Sequence, residues 1–188
     1  MRKRLIYHPR MAFKVWQINK IMERIQRLST ICLHLACSND LKPGYINADR
    51  YYPKVDVRMD ICDIPFKNNS IELIEMHHAL EHLPLESVSY ALIECRRVLK
   101  QHGFLFISVP DLEACLKAFL RAPYKIQYDS IIKMIYGSQE HEGMFHKSGF
   151  TAKRIEYLLM DIGFKIIKLE AGIRMRPTPS LVCVAQRV

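Results

Sequence analysis

The chain has 188 residues, 49% hydrophobic and 25% charged, with a formal net charge of +9. This fits one globular domain with a sizeable core. No apolar run approaches the roughly 18–20 residues that span a bilayer, and the basic N-terminus lacks the apolar stretch of a secretory signal.

The basicity belongs to one segment. Residues 1–30 hold Arg2, Lys3, Arg4, Arg10, Lys14, Lys20, Arg24 and Arg27 against Glu23 alone. From about Met11, the apolar residues Val15, Ile18, Met22, Ile25 and Leu28 recur at helical spacing, with Lys and Arg on the opposite face. One reading is a helix packed on the sheet edge, its basic face solvated. The other is an amphipathic surface for anionic lipid, a polyanion or a protein partner, adding little to the core.

Strand and helix signals then alternate. Ile31–Ala36 reads as a core strand, and only eight residues, Cys37 to Gly44, precede the next one, Tyr45–Ala48. A parallel crossover usually needs about 10–12 residues and a helix, so a helix here is expected to be missing or reduced to a turn. Asp49 ends the second strand, where a carboxylate suits both hydroxyls of a ribose, or simply caps a turn. A third run, Val55–Asp60, also ends on an acid, and Asp63 reads as a turn residue. Ile71–Met76 is an apolar run that stops at His77 and His78, with His82 close behind. These strand ends suggest a nucleoside-type site.

Leu85–Lys100 reads as a helix stopped by Gly103. Phe104–Val109 is a central strand buried on both faces, and Asp111–Leu120 is a helix. Tyr124–Phe150 is too polar for core. The chain closes with a helix at Thr151–Ile162, capped by Thr151 and stopped by Gly163, then strands Phe164–Glu170 and Leu181–Gln186. The six cysteines form no CxxC pair and read as small buried hydrophobes in a reducing, cytoplasmic setting. His77, His78, His82, His141 and His146 lack a metal-site spacing such as HExxH, so no metal is expected.

Several stretches resemble one family in order and spacing. They are Asp-Ile-x-Asp-Ile-Pro-Phe from Asp60, Asn-Ser-Ile-Glu from Asn69, and His-Ala-Leu-Glu-His-Leu from His78. Arg-Arg-Val-Leu-Lys from Arg96 and Gly-Phe-Leu-Phe-Ile-Ser-Val-Pro from Gly103 complete the set. Together they resemble the class I S-adenosylmethionine-dependent methyltransferases of the type 11 group, in register from about Ile31 to Gly163. The resemblance implies a Rossmann-like α/β sheet, mostly parallel with one antiparallel edge strand and helices on both faces. Residues 31–188 would form this single domain behind the basic segment 1–30, with 124–150 an acceptor-side insertion.

It also implies S-adenosylmethionine as cofactor. Leu35, Ala36, Cys37 and Ser38 fall on the glycine-rich loop, Asp49 on the ribose position, and Asp60 with the Ile61 backbone on the adenine position. His77 and Leu80 fall beside the methionine end. Two features depart from the family. Ala36 and Ser38 replace glycines that allow positive φ and close backbone approach, and the first helix is missing together with its anion-favouring N-terminus. Tyr-Gly-x-Gln from Tyr136 and Phe-His-Lys-x-Gly-Phe-Thr from Phe145 resemble the acceptor lid of short members. There His146 is the candidate substrate-facing group and general base, or else a loop anchor. Arg174 and Arg176 are candidates for an anionic acceptor.

Two functions from different classes remain. One is methyl transfer to a small or carbohydrate-like acceptor. The other is a catalytically degenerate fold that binds a partner or membrane surface through residues 1–30. A nucleic-acid substrate is not expected, because no Asn/Asp-Pro-Pro-aromatic motif is present.

Overall fold

A computed structural model describes residues 9–29, 31–175 and 178–188. The basic residues Arg2, Lys3 and Arg4 lie outside the described residues, as do Arg176 and the side chain of Arg174. Seven strands form one sheet: β1 (Cys32–Leu35), β2 (Tyr45–Asp49), β3 (Val57–Arg58), β4 (Ile71–His77), β5 (Leu99–Pro110), β6 (Phe164–Met175) and β7 (Thr178–Arg187). Their order is β3-β2-β1-β4-β5-β7-β6. β1 to β5 pair in parallel, whereas β7 runs antiparallel to both β5 and β6. The antiparallel pairing sits at that end of the sheet, with β7 second from the edge and β6 outermost.

The sheet is a two-faced core. One face carries α2 (Leu85–Val98) and α6 (Ala152–Ile162). Val88, Leu92, Cys95, Ile155 and Leu159 pack there with Leu33, Leu35, Ile74, Met76, Leu105 and Ile107. Burying a residue such as leucine contributes roughly 1.5–3 kcal/mol, so this layer is the main source of stability. α6 ends as its sequence predicts. The Thr151 side chain accepts from the Arg154 N–H at 3.3 Å, and Gly163 takes the left-handed C-terminal position at φ 94°. α2 does not run to Gly103. It stops at Val98, and Leu99 is already extended as the first residue of β5. Gly103 instead lies within β5, where a Cβ would meet the Lys100 carbonyl oxygen at 2.9 Å and that of Glu72 at 3.1 Å.

The opposite face carries α1 (Pro9–Leu28). Its spacing buries Ile18, Met22 and Ile25 against Cys32, Leu73, Phe106, Ile173, Val182 and Val184, while Lys20, Arg24 and Arg27 face solvent. Lys14 ties the helix to β6 through Glu170, at 2.7 Å. α1 is therefore packed, but across the face of the sheet and not on its edge, and the expectation that it adds little to the core is corrected. No helix stands between β1 and β2, nor between β2 and β3. The loop after β1 covers that part of the sheet instead. No described helix is long and apolar enough to cross a membrane.

After β5 the chain forms α3 (Leu112–Arg121), begun by Asp111, whose side chain accepts from the Ala114 N–H. A helical stretch follows, made of α4 (Tyr124–Ile126), a wider turn at Gln127–Ile131 and α5 (Ile132–Tyr136). The loop from Gly137 to Phe150 then returns over the carboxyl ends of the strands. Phe150 is fully buried in the main core, so the insertion is anchored at its far end by an apolar side chain.

Candidate active site

The loop leaving β1 is strained in a specific way. Ala36 and Ser38 sit at φ 50° and 48°, the left-handed region that glycine occupies freely. The backbone thus follows a glycine-type path without glycine. Neighbouring bonds hold it there. The Cys37 N–H donates to the Ala48 carbonyl at 3.1 Å, and the Ser38 N–H donates to Asp49 Oδ2 at 2.9 Å. Asp49 Oδ1 also accepts from the Tyr51 and Tyr52 N–H groups, at 2.7 and 2.9 Å. A carboxylate offers about four acceptor sites, so one stays open on Oδ2. Cys37 itself is buried, and burial, reinforced by Asp49, pushes its thiol up to about 11.

Each left-handed non-glycine residue costs about 1–2 kcal/mol, whereas glycine adds about 0.5–1 kcal/mol of ordering entropy. Ala36→Gly and Ser38→Gly are therefore each expected to stabilise the fold by about 0.5–1 kcal/mol, read from the urea midpoint at unchanged slope. A lower midpoint in both would show that the loop is relaxed as it stands.

Asp60 lies beyond the short strand β3. Its Oδ1 accepts from the Cys62 N–H at 2.9 Å, and its Oδ2 pairs with Arg50 at 2.7 Å. Arg50 is largely exposed, so this pair holds Asp60 only weakly. Leu35 and Leu80 are fully buried in the main core. Their side chains are therefore part of the core packing.

His77 ends β4 on the α1 side of the sheet and belongs to a buried polar cluster. Its Nε2 lies 3.1 Å from Glu75 Oε2 and 3.0 Å from Lys42 Nζ, and its Nδ1 lies 3.3 Å from Ser108 Oγ. Glu75, on β4 and only 2% exposed, also takes Lys42 Nζ, Tyr45 Oη and Gln26 Nε2. Burial opposes its ionisation. The bonds from His77, Lys42 and Tyr45 outweigh that and hold its carboxyl well below the usual carboxylate range. His34 lies beside His77 with ring centroids 5.5 Å apart. Burial, then the Lys42 and His77 charges, bring it down to about 4. This cluster occupies the place of the missing helix, and Lys42 reaches it from the loop.

The turn after β4 and the 137–150 loop form a second polar region. His78 takes a left-handed backbone at φ 50° and its N–H donates to the Ser108 carbonyl. Its ring bridges Glu81 Oε1 at 3.0 Å and Ser180 Oγ at 3.3 Å. The 137–150 loop is stitched onto this turn. The Glu81 carbonyl accepts from the Lys147 and Ser148 N–H groups, and Ser148 Oγ donates to the Leu83 carbonyl at 2.7 Å. A Cβ built on Gly143 would lie 3.7 Å from the Tyr51 ring. The loop therefore spans from the turn after β4 to the turn after β2. His146 sits beneath it, its Nδ1 3.1 Å from the Met134 carbonyl oxygen.

Comparison with known proteins settles the fold. A methyltransferase-domain family model matches residues 24–107, from the end of α1 to the middle of β5. No curated protein matches. Solved structures do. An S-adenosylmethionine-dependent methyltransferase from Methanosarcina mazei is 18% identical with a TM-score of 0.64, over 89% of this chain and 97% of that one. One from Mesorhizobium loti is 15% identical at 0.60, over 85% and 91%. One from Archaeoglobus fulgidus is 13% identical at 0.58, over 90% and 94%. The chain has the fold of the class I methyltransferases.

S-adenosylmethionine is the cofactor that the methyltransferase-domain match and the fold imply, and the chain's residues fit it. The loop after β1 keeps the backbone path that close approach requires, and Asp49 at the end of β2 and Asp60 just beyond β3 have acceptor capacity left. A cleft of about 470 Å³ lined by Arg96, Arg97, Arg187 and Asp161 lies elsewhere, beside α2 and α6. Sequence reasoning missed Lys42, Tyr45, Glu75, His34 and Glu81. The available signal was a charged residue inside an apolar strand: Glu75 stands in Ile-Glu-Leu-Ile-Glu-Met, where burial demands a partner.

Proposed function

We propose that this methyltransferase transfers a methyl group from S-adenosylmethionine to a small, hydroxylated, carbohydrate-like acceptor held under the 137–150 loop. The observation that carries the reading is the loop after β1, kept in a glycine-type path at Ala36 and Ser38 and tied to Asp49. A degenerate loop would be free to relax out of the left-handed region. Leu35 to Ser38 line the cofactor through backbone, Asp49 accepts a ribose hydroxyl through Oδ2, and Asp60 with the Ile61 backbone takes the adenine edge. His77 and Leu80 flank the methionine end. When bound, the cofactor supplies a methyl group activated by its sulfonium.

The chain's own task is positioning and proton handling. His146 donates from Nδ1 to the Met134 carbonyl, which leaves the Nε2 lone pair to take a proton from the acceptor hydroxyl. Burial lowers its pKa, so the ring is neutral and competent as a base at pH 7. The free thiols of all six cysteines support a reducing, cytoplasmic setting.

Calorimetric titration with S-adenosylmethionine and its demethylated product tests the reading. Hydrogen bonds to a charged group contribute about 1.5–3 kcal/mol, so Asp49→Ala and Asp60→Asn should each weaken binding about ten- to a hundredfold. Absence of binding by the unaltered chain, or unchanged affinity in both variants, would sink the assignment.

A further inference from the structure

Among the described residues, one cluster has the composition of a metal centre. Glu81, His82 and His146 each bring a ligand atom to within 4.8 Å of the others. Two further observations give the cluster direction. Glu81 is 1% exposed, and its Oε2 has no hydrogen-bond partner although Oε1 meets His78. A buried carboxylate oxygen without a partner carries a full desolvation penalty, so its site calls for a cation or a donor. The two imidazoles are also pre-oriented. His82 Nδ1 lies 3.2 Å from the Phe145 carbonyl oxygen, and His146 Nδ1 lies 3.1 Å from that of Met134. A carbonyl oxygen only accepts, so each ring carries its proton on Nδ1 and keeps its Nε2 lone pair for a ligand. Backbone carbonyls fixing the far nitrogen are the arrangement that orients histidines on metals.

We propose that Glu81, His82 and His146 bind one first-row divalent transition cation, with Zn2+ as the representative. Two imidazoles and a carboxylate suit zinc and its neighbours better than magnesium or calcium, which take oxygen donors. Three protein donors leave at least one coordination position open. Glu81 and His82 come from the turn after β4 and His146 from the 137–150 loop, so the ion would clamp the loop to the turn. The site does not rest on the methyl-transfer reading. It does compete with it for one atom, since the His146 Nε2 lone pair cannot hold an ion and accept a proton together.

The test uses the full chain after chelator treatment, without cofactor. Titrating Zn2+ calorimetrically should show one equivalent bound, accompanied by a rise in Tm. Co2+ should give visible ligand-field bands and no near-ultraviolet thiolate charge-transfer band. His82→Ala and His146→Ala should each weaken Zn2+ binding at least thirtyfold. His141→Ala, on the same loop but outside the cluster, should leave it unchanged. Should His146→Ala fail to fold, His82→Ala on the partly exposed ring still decides. No stoichiometric binding, a thiolate band, or equal affinity in His82→Ala and the unaltered chain would each overturn the site. Cofactor affinity is measured separately, so failure here is distinguishable from failure of the methyltransferase reading.

Discussion

Glu75→Ala is expected to destabilise the fold by about 3–5 kcal/mol, the usual consequence of removing one partner from a buried ion pair. The size follows from what the carboxylate holds. Lys42 Nζ, His77 Nε2, Tyr45 Oη and Gln26 Nε2 all converge on it, and its loss leaves a lysine charge over a sheet face with no counter-ion. The urea midpoint reads this directly. A change below about 1 kcal/mol would mean that water already serves these groups. The same cluster sets an acid sensitivity whose sign can be worked out. His34 is 1% exposed and falls from an ordinary value of 6.5 to about 4 in the fold. The unfolded chain therefore binds its proton first, and stability is complete above about pH 6.5 and drains as pH falls toward 4. At about 1.4 kcal/mol per unit, the loss is on the order of 3 kcal/mol. Glu75, depressed as well, adds a further loss once pH falls below the ordinary carboxylate value. His34→Leu should flatten the first part of that pH profile and leave the second.

Gly137→Ala should be the most damaging single change in the acceptor loop. Gly137 adopts φ 83°, and a Cβ there would overlap the Met144 carbonyl oxygen and lie 3.0 Å from the His146 amide nitrogen. Both neighbours are backbone, so neither can rotate aside. The bridge from Gly137 to Phe145 and the bond from the His146 N–H to the Tyr136 carbonyl would open together. We expect His146 to leave its position, acceptor turnover to fall at least a hundredfold, and cofactor affinity to change much less. Turnover within threefold of the unaltered chain would show that the loop geometry is not needed for the reaction.

The parts of the fold that periodicity controls were legible in the sequence. Apolar runs such as Phe104–Val109 can only be strands buried on both faces, and Thr151 with Gly163 brackets α6 by local backbone chemistry alone. The shortness of Cys37–Gly44 also foretold a missing helix, because chain length limits what a crossover can hold. What replaced that helix was not legible. The partners of Glu75 come from α1, the loop and β2, and pairings across such separations leave no local pattern. The loop at Ala36 and Ser38 shows the same limit in reverse. Composition argued against a glycine-type turn, yet tertiary bonds from Asp49 and Ala48 impose one. Gly103 was misplaced for a related reason, since a glycine after a helix resembles a stop even when close backbone approach inside a strand requires it.

The order of the strands has a kinetic side. β1 and β2 align Cys32 with Tyr45, and β1 and β4 align Cys32 with Leu73, so the first half of the sheet closes over shorter separations than the second. β5 instead aligns Phe104 with Gln186, and β7 carries its hairpin partner β6 on its other side. Loop-closure entropy is met before such distant pairs reward it. The half containing β1 to β4 can thus assemble early, while β5 keeps an open hydrogen-bonding edge until β7 arrives. An unpaired strand edge is a template for other chains. The step we expect to be slowest and most prone to aggregation is therefore the docking of the β6–β7 hairpin onto β5.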